Sequence, residues 1–441
     1  MSSVTVVGGG LAGITAALDC AQAGSSVTLV EVRHRLGGAA YSVEREGLKM
    51  DNGQHVFLRC CTAYRDMLER LGSTHLVRLQ ERLEIPVLSP GLPPARIRRS
   101  SLPAPLHLAG ALLGYPRLGF GERLAAARAA LALARLDPGD PALERETFGA
   151  WLARHGQDER AVAALWDLIA LPTMNVPAAE ASLALAAFVF ETGLLSSPAA
   201  GDIGFHVATL QEILGEPALR VLRAAGVEVR LGWRAERLER DGAGYVLGGR
   251  AAGEGQELRA DAAIVALPHD RAGGLLGPLL GPNAGAPAAL ESSPIVNLHV
   301  VYDRPVLDEP FAAGVSTPVQ YLFDRGAAAG VRDGCQYLAV SLSGASAEME
   351  CSVQQLRERY LPALGELLPR ARDARVERFL VTREHAATFR AAPGVAALRP
   401  AQRTALPGLA LAGAWTDTGW PATLEGAVLS GHAAARAVAE A

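Results

Sequence analysis

The sequence predicts an α/β protein: a Rossmann-type dinucleotide-binding domain with a second lobe, of mixed α+β structure, that is discontinuous along the chain. Three observations predict this. Residues 4–32, VTVVGGGLAGITAALDCAQAGSSVTLVEV, place an apolar strand, a glycine-rich turn, a helix and a second strand in βαβ order. Two short apolar runs far downstream, Ala262–Pro268 and Leu409–Ala412, suit buried strands that return to the same sheet. The chain has 441 residues, too many for one compact core, and two blocks separate those returning strands.

The elements follow in order. Val4–Val7 reads as a buried strand, Ile14–Ala23 as a helix ended by Gly24, and Val27–Val30 as the next strand, closed by Glu31. In the G-x-G-x-x-G motif, Gly8 permits the tight turn, Gly10 lets backbone approach a pyrophosphate, and Gly13 lets helix and strand lie close. The N–H groups of the helix start, at Leu11, Ala12 and Gly13, face the phosphates. Glu31 suits a ribose hydroxyl. A second glycine loop, Arg35-Leu36-Gly37-Gly38, follows at once, and no second G-x-G-x-x-G stands in a strand-turn-helix setting. Val227–Leu238 reads as a hairpin pair of strands. At the C-terminus a loop, Gly413–Pro421, leads into a helix over Thr423–Ala439.

Composition narrows the function. Hydrophobic residues make up 49% and charged residues 20%, so the chain is globular, and a formal charge of −4 gives no reason to expect a nucleic-acid partner. Lys49 is the only lysine. The five cysteines suggest neither a disulfide framework nor a metal site; Cys60-Cys61 reads as buried packing. No signal peptide fits before Val4, and no apolar run approaches the ~18 residues of a spanning helix. A cytoplasmic location is expected, with contact at the inner membrane face left open.

Three stretches are more specific: MDNGQHVF (50–57), LWDLIALPTMNVPAAEAS (165–182) and LAGAWTDTGWPATLEGAVLSG (411–431). Together they resemble the hydroxysqualene dehydroxylases, or squalene-associated FAD-dependent desaturases, of the phytoene desaturase and flavin amine oxidase superfamily. The resemblance implies an amine oxidase/phytoene desaturase-like fold that binds FAD. It implies flavin contacts from Arg35, Gly37 and Gly38, from Gly53, Gln54 and His55, and from Gly413, Ala414, Trp420, Ala422, Thr423 and Leu424. It also implies adenine contacts from the backbone near Ala235. If the start of the last helix meets the flavin pyrimidine edge, its dipole stabilises the charge of the reduced ring. Ala414 departs from the pattern, because many relatives carry an acid there that bonds the ribityl chain; Asp417 or neighbouring backbone is the expected substitute.

The activity the resemblance implies is reductive removal of the hydroxyl of hydroxysqualene to give squalene, in hopanoid or related triterpene synthesis. Its substrate is a hydrophobic C30 isoprenoid; the electron donor is not legible. That chemistry asks for an acid and a dry apolar tunnel. His55 is the candidate acid, with Asn52 and Gln54 orienting the hydroxyl or the flavin edge. The competing reading is that His55 only satisfies a backbone carbonyl. Amine oxidases keep a lysine near flavin N5, so a chain whose one lysine is Lys49 is poorly suited to amine oxidation. A carotenoid or phytoene desaturase-type oxidase is one alternative. A non-catalytic isoprenoid carrier, on the fold of Rab escort and GDI-type proteins, is another.

The expected domains are an FAD-binding unit from residues 1–75, 191–273 and 390–441, and a substrate unit from 76–190 and 274–389. The first substrate block reads as mostly helical. The second carries strands near Ile295–Tyr302, Val319–Phe323 and Gln336–Ser341, then a helix over Ala347–Leu368. Within the first, residues 95–120 hold Arg96, Arg98, Arg99 and Arg117 around an apolar stretch free of acids, which suits a monotopic membrane patch. Phe188–Phe190 and Leu194-Leu195 are candidates to line a tunnel.

Overall fold

The computed structural model describes residues 2–280 and 289–440. A five-stranded parallel sheet runs in the order Glu228–Leu231, Ser26–Glu31, Ser3–Val7, Ala262–Val265, Leu409–Leu411. It draws on three distant parts of the chain, and every strand enters parallel, as right-handed crossovers demand. The helix Leu11–Gln22 packs on it beside the C-terminal helix Leu424–Ala439. Their approach is so close that a Cβ on Gly431 would stand 2.4 Å from the Ala12 carbonyl oxygen. A hydrogen bond between His432 and Asp19 ties the same two helices at the rim, and an ion pair from Asp19 to Arg70 joins them to a third helix, Thr62–Leu71.

The expected hairpin over Val227–Leu238 does not form. Glu228–Leu231 joins the parallel sheet beside Ser26–Glu31, and Gly232, at φ +70°, turns the chain away. Trp233–Asp241 then opens an antiparallel meander with Gly244–Ala251 and Glu254–Ala260. A left-handed residue between two strand-like runs separated them; pattern alone had joined them.

The second lobe is built on a seven-stranded mixed sheet, in the order Val376–Phe389, Ser292–Tyr302, Gln336–Ser343, Tyr321–Asp324, Phe311–Gly314, Glu84–Leu88, Ala95–Arg98. Along its central strand the side chains alternate. Val296, Leu298 and Val300 join the apolar core under the helix Val353–Leu367, whereas Asn297 and His299 face the other way, toward the nucleotide lobe. The expected single helix over Ala347–Leu368 is two: Ser346–Met349, and Val353–Leu367 restarted by a capping box of Ser352 and Gln355. The 14-residue strand Val376–Phe389 escaped the sequence reading because its charged residues mask the alternation. The strands Glu84–Leu88 and Ala95–Arg98 likewise interrupt a block read as helical.

Helices from Phe120 to Phe190 cover one end of this sheet. Asn175, left-handed at φ +56°, ends the helix Asp167–Met174 and clamps it down. Its Nδ2 donates to the Ser293 carbonyl and to Thr388 Oγ1, and its Oδ1 accepts from Gly344 N–H. Phe190 and Leu194, expected at a tunnel wall, are core residues; Phe190 packs on Phe148 and Trp166. Phe188 and Leu195 stay partly buried, and Phe188 meets the edge of Trp420 at 5.2 Å.

The arginines of residues 95–120 have partners within the chain, although Arg96 and Arg98 stay exposed. Arg96 pairs with Glu84 and Glu309, Arg98 with Glu84, and Arg99 with the buried Asp202, while Arg117 donates to the Pro93 carbonyl. Residues 95–98 are a sheet strand, not part of a surface helix. No described helix is long and apolar enough to cross a membrane. All five cysteines are free.

Candidate active site

Two loops meet over the first helix. Gly8 lies at φ +115°, and a Cβ there would sit 2.4 Å from the Ala266 oxygen; one on Gly13 would sit 1.9 Å from the Gly8 oxygen. These two glycines are required by the protein itself. Gly10 is different. Only the Gly38 Cα stands within 4 Å of its Cβ position, at 3.7 Å, so nothing in the chain forbids a side chain there. The room above Gly10 fits a pyrophosphate. No side chain caps the helix that starts at Leu11, which leaves the N–H groups of Leu11, Ala12 and Gly13 free to hold it. The second loop closes the cradle: Gly37 N–H donates to the Gly9 carbonyl at 2.9 Å, and a Cβ on Gly38 would strike Gly10 Cα at 2.7 Å.

Glu31 is buried at the strand end. Its oxygens accept from the N–H groups of Gly9 (2.7 Å) and Arg33 (2.8 Å), and each keeps a lone pair for a ribose. Arg35 stacks its guanidinium 3.7 Å above the Tyr41 ring, and burial lowers its pKa. Tyr41 O–H in turn donates to Glu384 at 2.8 Å. A cavity of about 240 Å³ opens here, lined in part by Tyr41, Asn52, Thr382 and Glu384. Ala235 lies at a bulge where the meander loses register before Arg237, so backbone is released from the ladder at that point.

The C-terminal loop reaches the same place. Gly413, at φ +144°, donates its N–H to Ser430 Oγ, and a Cβ on it would collide with the Trp415 ring. The loop is held from outside by Arg399, whose Nη2 donates to the carbonyls of Thr416 (2.6 Å) and Ala414 (3.4 Å); burial takes its pKa down to about 10. Asp417 is exposed and bonds within its own loop, so it does not take up the role missing at Ala414. Trp420 and Ala422 pack against the apolar cores. Thr423 Oγ1 caps the last helix by accepting from Gly426 N–H, and Leu424 begins it. Glu425 was not singled out in sequence. It is buried, and its oxygens accept from Ala63 N–H (3.0 Å) and Tyr64 N–H (2.7 Å), joining the C-terminal helix to the start of the helix Thr62–Leu71. Burial raises its pKa against the pull of those donors.

Between the loops lies the turn at residues 51–55. Asp51 is buried, with Oδ2 2.8 Å from Arg325 Nη2 and Oδ1 accepting from Ser42 Oγ and Leu210 N–H. Asn52 braces the second glycine loop with both ends of its side chain: Oδ1 accepts from Tyr41 N–H at 3.1 Å and Nδ2 donates to the Ala39 carbonyl at 2.9 Å. These two bonds give Asn52 a framework task that the sequence did not suggest. Its carbonyl accepts twice, from Asn297 Nδ2 (2.9 Å) and Thr382 Oγ1 (3.1 Å). Gly53 is buried under Asn297. Among the described residues no hydrogen bond reaches the Gln54 side chain, and its Nε2 is buried.

His55 Nδ1 lies 3.0 Å from the Gly53 carbonyl, which can only accept, so Nδ1 carries the proton. Burial lowers the pKa of the ring, and the Gly53 contact resists it only in part. At neutral pH His55 is therefore an imidazole whose Nε2 accepts. This bears on the expected acid role: the ring presents a lone pair to the site, not a proton.

Behind His55 stands His206, which sequence reasoning missed. Its Nδ1 donates to the His55 carbonyl at 2.9 Å, and its Nε2 accepts from Tyr64 O–H at 2.8 Å. Burial, then the neighbouring His55 ring and the Arg325 guanidinium, take its pKa down to about 3. His299 forms a parallel strut. Thr382 Oγ1 donates onward to Asn52, so it accepts from His299 Nε2, and Tyr337 O–H donates to His299 Nδ1. Burial takes this pKa to about 3 as well. Both imidazoles are neutral struts. Their only signal in the sequence was a lone histidine in an apolar strand, which is the commoner mark of core packing.

Sheet, cradle and returning C-terminal loop define an FAD-dependent oxidoreductase: the glycines leave room for a dinucleotide, and the second loop and last helix close around a ring system. The chain belongs to the flavin containing amine oxidoreductase family, which matches residues 11–439. Among curated relatives, the hydroxysqualene dehydroxylase of Rhodopseudomonas palustris is 30% identical over 98% of this chain and 97% of its own length. The zeta-carotene desaturase of Synechocystis sp. is 25% identical over 99% of this chain and 96% of its own. Among solved structures, the cyclohexylamine oxidase of Brevibacterium oxydans superimposes with a TM-score of 0.75 at 20% identity, covering 100% of this chain and 99% of that one.

Proposed function

We propose that this enzyme removes the hydroxyl of hydroxysqualene reductively and releases squalene, as a step of hopanoid or related triterpene synthesis. The observation that carries the reading is the turn at residues 51–55. It is anchored at Asp51 and Asn52, lies beside the second glycine loop, and offers two neutral polar side chains, Gln54 and His55, in place of any charge. The near-full-length likeness to a hydroxysqualene dehydroxylase supports it. Amine oxidation fits less well: Lys49 points to Glu212, half-exposed and away from the turn.

Bound FAD, once reduced, supplies a hydride. Overall, a carbon–oxygen bond would be replaced by a carbon–hydrogen bond and the oxygen would leave as water, so that each turnover would consume two electrons from an outside donor and two protons from solvent. The chain's own residues do three things. The free N–H groups of Leu11, Ala12 and Gly13 would hold the pyrophosphate in the room left at Gly10, with Gly8, Gly37 and Gly38 shaping the two loops and Glu31 at the ribose. Asp51 with Arg325, and Asn52 with Asn297 and Thr382, fix the turn. His55 Nε2 and the Gln54 amide receive and orient the polar end of a substrate that is otherwise hydrocarbon.

The substrate's solubility supports peripheral contact with a bilayer, and the exposed surface supports a site for it. Phe120 is 78% exposed, and Leu124 and Leu131 lie on the same face of the helix Phe120–Leu133, interleaved with Arg128. Arg135, exposed just beyond its end, continues the line. Leu102, Leu106 and Leu113 extend the apolar surface. Arg128 and Arg135 make no ion pair among the described residues. Apolar anchors with interleaved cations suit an anionic lipid surface. This shifts the contact from residues 95–120 toward 102–135. Flotation with vesicles containing anionic lipid tests it: Phe120→Asp with Leu124→Asp should release the protein, and unchanged binding would end the proposal.

The function itself is tested by product identification. Holoenzyme reduced under anaerobic conditions should convert hydroxysqualene to squalene in a single turnover. Failure to consume it, with a carotene desaturated by the oxidised holoenzyme instead, would move the assignment to the desaturases.

A further inference from the structure

Tyr302 ends the strand Ser292–Tyr302, on the face opposite Asn297 and His299. Its ring is packed in the apolar core of the second lobe, and the residue is 1% exposed. Among the described residues no hydrogen bond reaches its hydroxyl, and burial alone raises its pKa. Yet the oxygen is not sealed off, for Tyr302 lines a cleft of about 370 Å³. The cleft lies between the helix Val353–Leu367, the turn Pro369–Ala371 and the start of the strand Val376–Phe389. Four of its walls are apolar: Leu361 and Pro362 on the helix, Ala371 on the turn and Val376 on the strand. Glu366 and Arg372 also line it, and both are exposed. Arg372 Nε donates to the Gly365 carbonyl at 2.8 Å. The cleft shares no lining residue with the cavity beside Tyr41.

We propose that this cleft is a second binding site, for a small neutral molecule that is mostly apolar and carries one hydroxyl group. Its volume falls in the range of small-molecule sites, about 300–1,000 Å³. The apolar walls take the body of the ligand, and the phenol takes its oxygen. Burial keeps Tyr302 neutral, so its O–H can donate to the ligand oxygen while its own oxygen accepts in return. A phenol already bonded within the protein would have less to offer; this one keeps its full capacity. Charge decides against an ionic ligand. Glu366 and Arg372 line the same cleft with opposite signs, so neither a carboxylate nor an ammonium meets a net attraction. A sugar-like ligand, with many hydroxyls, would turn most of them toward apolar walls. The site stands apart from the flavin cradle and the turn at residues 51–55, and it does not depend on how their chemistry is read.

The test locates the ligand directly. Crystals of the flavin-loaded enzyme are soaked with para-bromobenzyl alcohol, whose bromine is found by its anomalous scattering. One bromine should lie in the cleft, with the alcohol oxygen within hydrogen-bond distance of Tyr302 Oη. Calorimetric titration of the same probe then compares variants in solution. Tyr302→Phe keeps the ring and breaks no hydrogen bond among the described residues, so fold and flavin content should hold. It should weaken binding about fivefold, the worth of one neutral hydrogen bond. Leu361→Trp fills the cleft from the helix side and should abolish binding there. Glu366→Gln should leave the affinity within about twofold, because a neutral ligand draws little from that charge. No bromine in the cleft, an affinity that Tyr302→Phe leaves unchanged, or an isotherm identical in wild type and Leu361→Trp would overturn the proposal. Each of those results would leave the assignment of the active site untouched.

Discussion

The glycine cradle and the turn at residues 51–55 lie side by side but are built in opposite ways. The cradle is local. Residues 8–13 and 31–38 contact one another, and its requirements are those of backbone: a left-handed φ at Gly8, a close approach at Gly13, an open space at Gly10. The turn is assembled from afar. Asp51, Asn52 and His55 are held by Ser42, His206, Leu210, Asn297, Arg325 and Thr382, up to 330 residues away. Grip on a dinucleotide needs only peptide groups in the right place. Positioning a neutral polar pair for one substrate needs side chains from several elements at once.

The largest effect should come from the cradle. Gly13→Val places a side chain where even a Cβ would be 1.9 Å from the Gly8 oxygen, and the purified protein should lose its bound flavin, read from visible absorbance. A variant that keeps full flavin would show that the local grip is not what holds the cofactor.

Next in size is the lock on the turn. Arg325→Leu leaves Asp51 buried without its cation, and breaking such a pair costs about 3–5 kcal/mol. Chemical denaturation should show that loss; a change near zero would mean that the turn stands without its remote support.

A smaller effect is expected at Tyr64→Phe, which leaves His206 Nε2 buried with no donor and should cost about 1–3 kcal/mol. It should also lower turnover more than flavin content, because His206 holds the carbonyl of His55 and does not touch the cradle.

The same struts predict a pH dependence. His206 and His299 have folded pKa values of about 3, below their ordinary value, because burial opposes the charged form; His55 is shifted the same way. The unfolded chain therefore binds more protons below about pH 6.5, and stability is full above that value. It should fall as the pH drops toward 3, by about 1.4 kcal/mol per pH unit for each of His206 and His299. Replacing both by Gln should flatten that slope. An unchanged slope would assign it to other groups.

The same contrast explains what was legible in the sequence. The cradle was readable because its signals are glycines at fixed spacing in one continuous stretch. The parallel strands were readable as short apolar runs. The strand Val376–Phe389 was not, since charged residues such as Arg378, Arg383 and Glu384 break its apolar pattern. In the turn, the residue types were conspicuous but their tasks were not. Asn52 looked like a substrate contact, yet its amide also braces the second glycine loop through Ala39 and Tyr41. His55 looked like an acid, yet burial and the Gly53 carbonyl leave it a neutral acceptor. Glu425 lay inside a quoted motif without a task, because its partners are the N–H groups of Ala63 and Tyr64, more than three hundred residues earlier. Such partners become visible only when the chain is folded.

The central claim is that the local cradle and the remotely built turn form a single reductive site. The most direct measurement is a single-turnover reaction of anaerobically reduced holoenzyme with hydroxysqualene, following flavin reoxidation and product together. The account predicts squalene formed in step with flavin reoxidation, one for one. Flavin that stays reduced while the alcohol is recovered intact would contradict it.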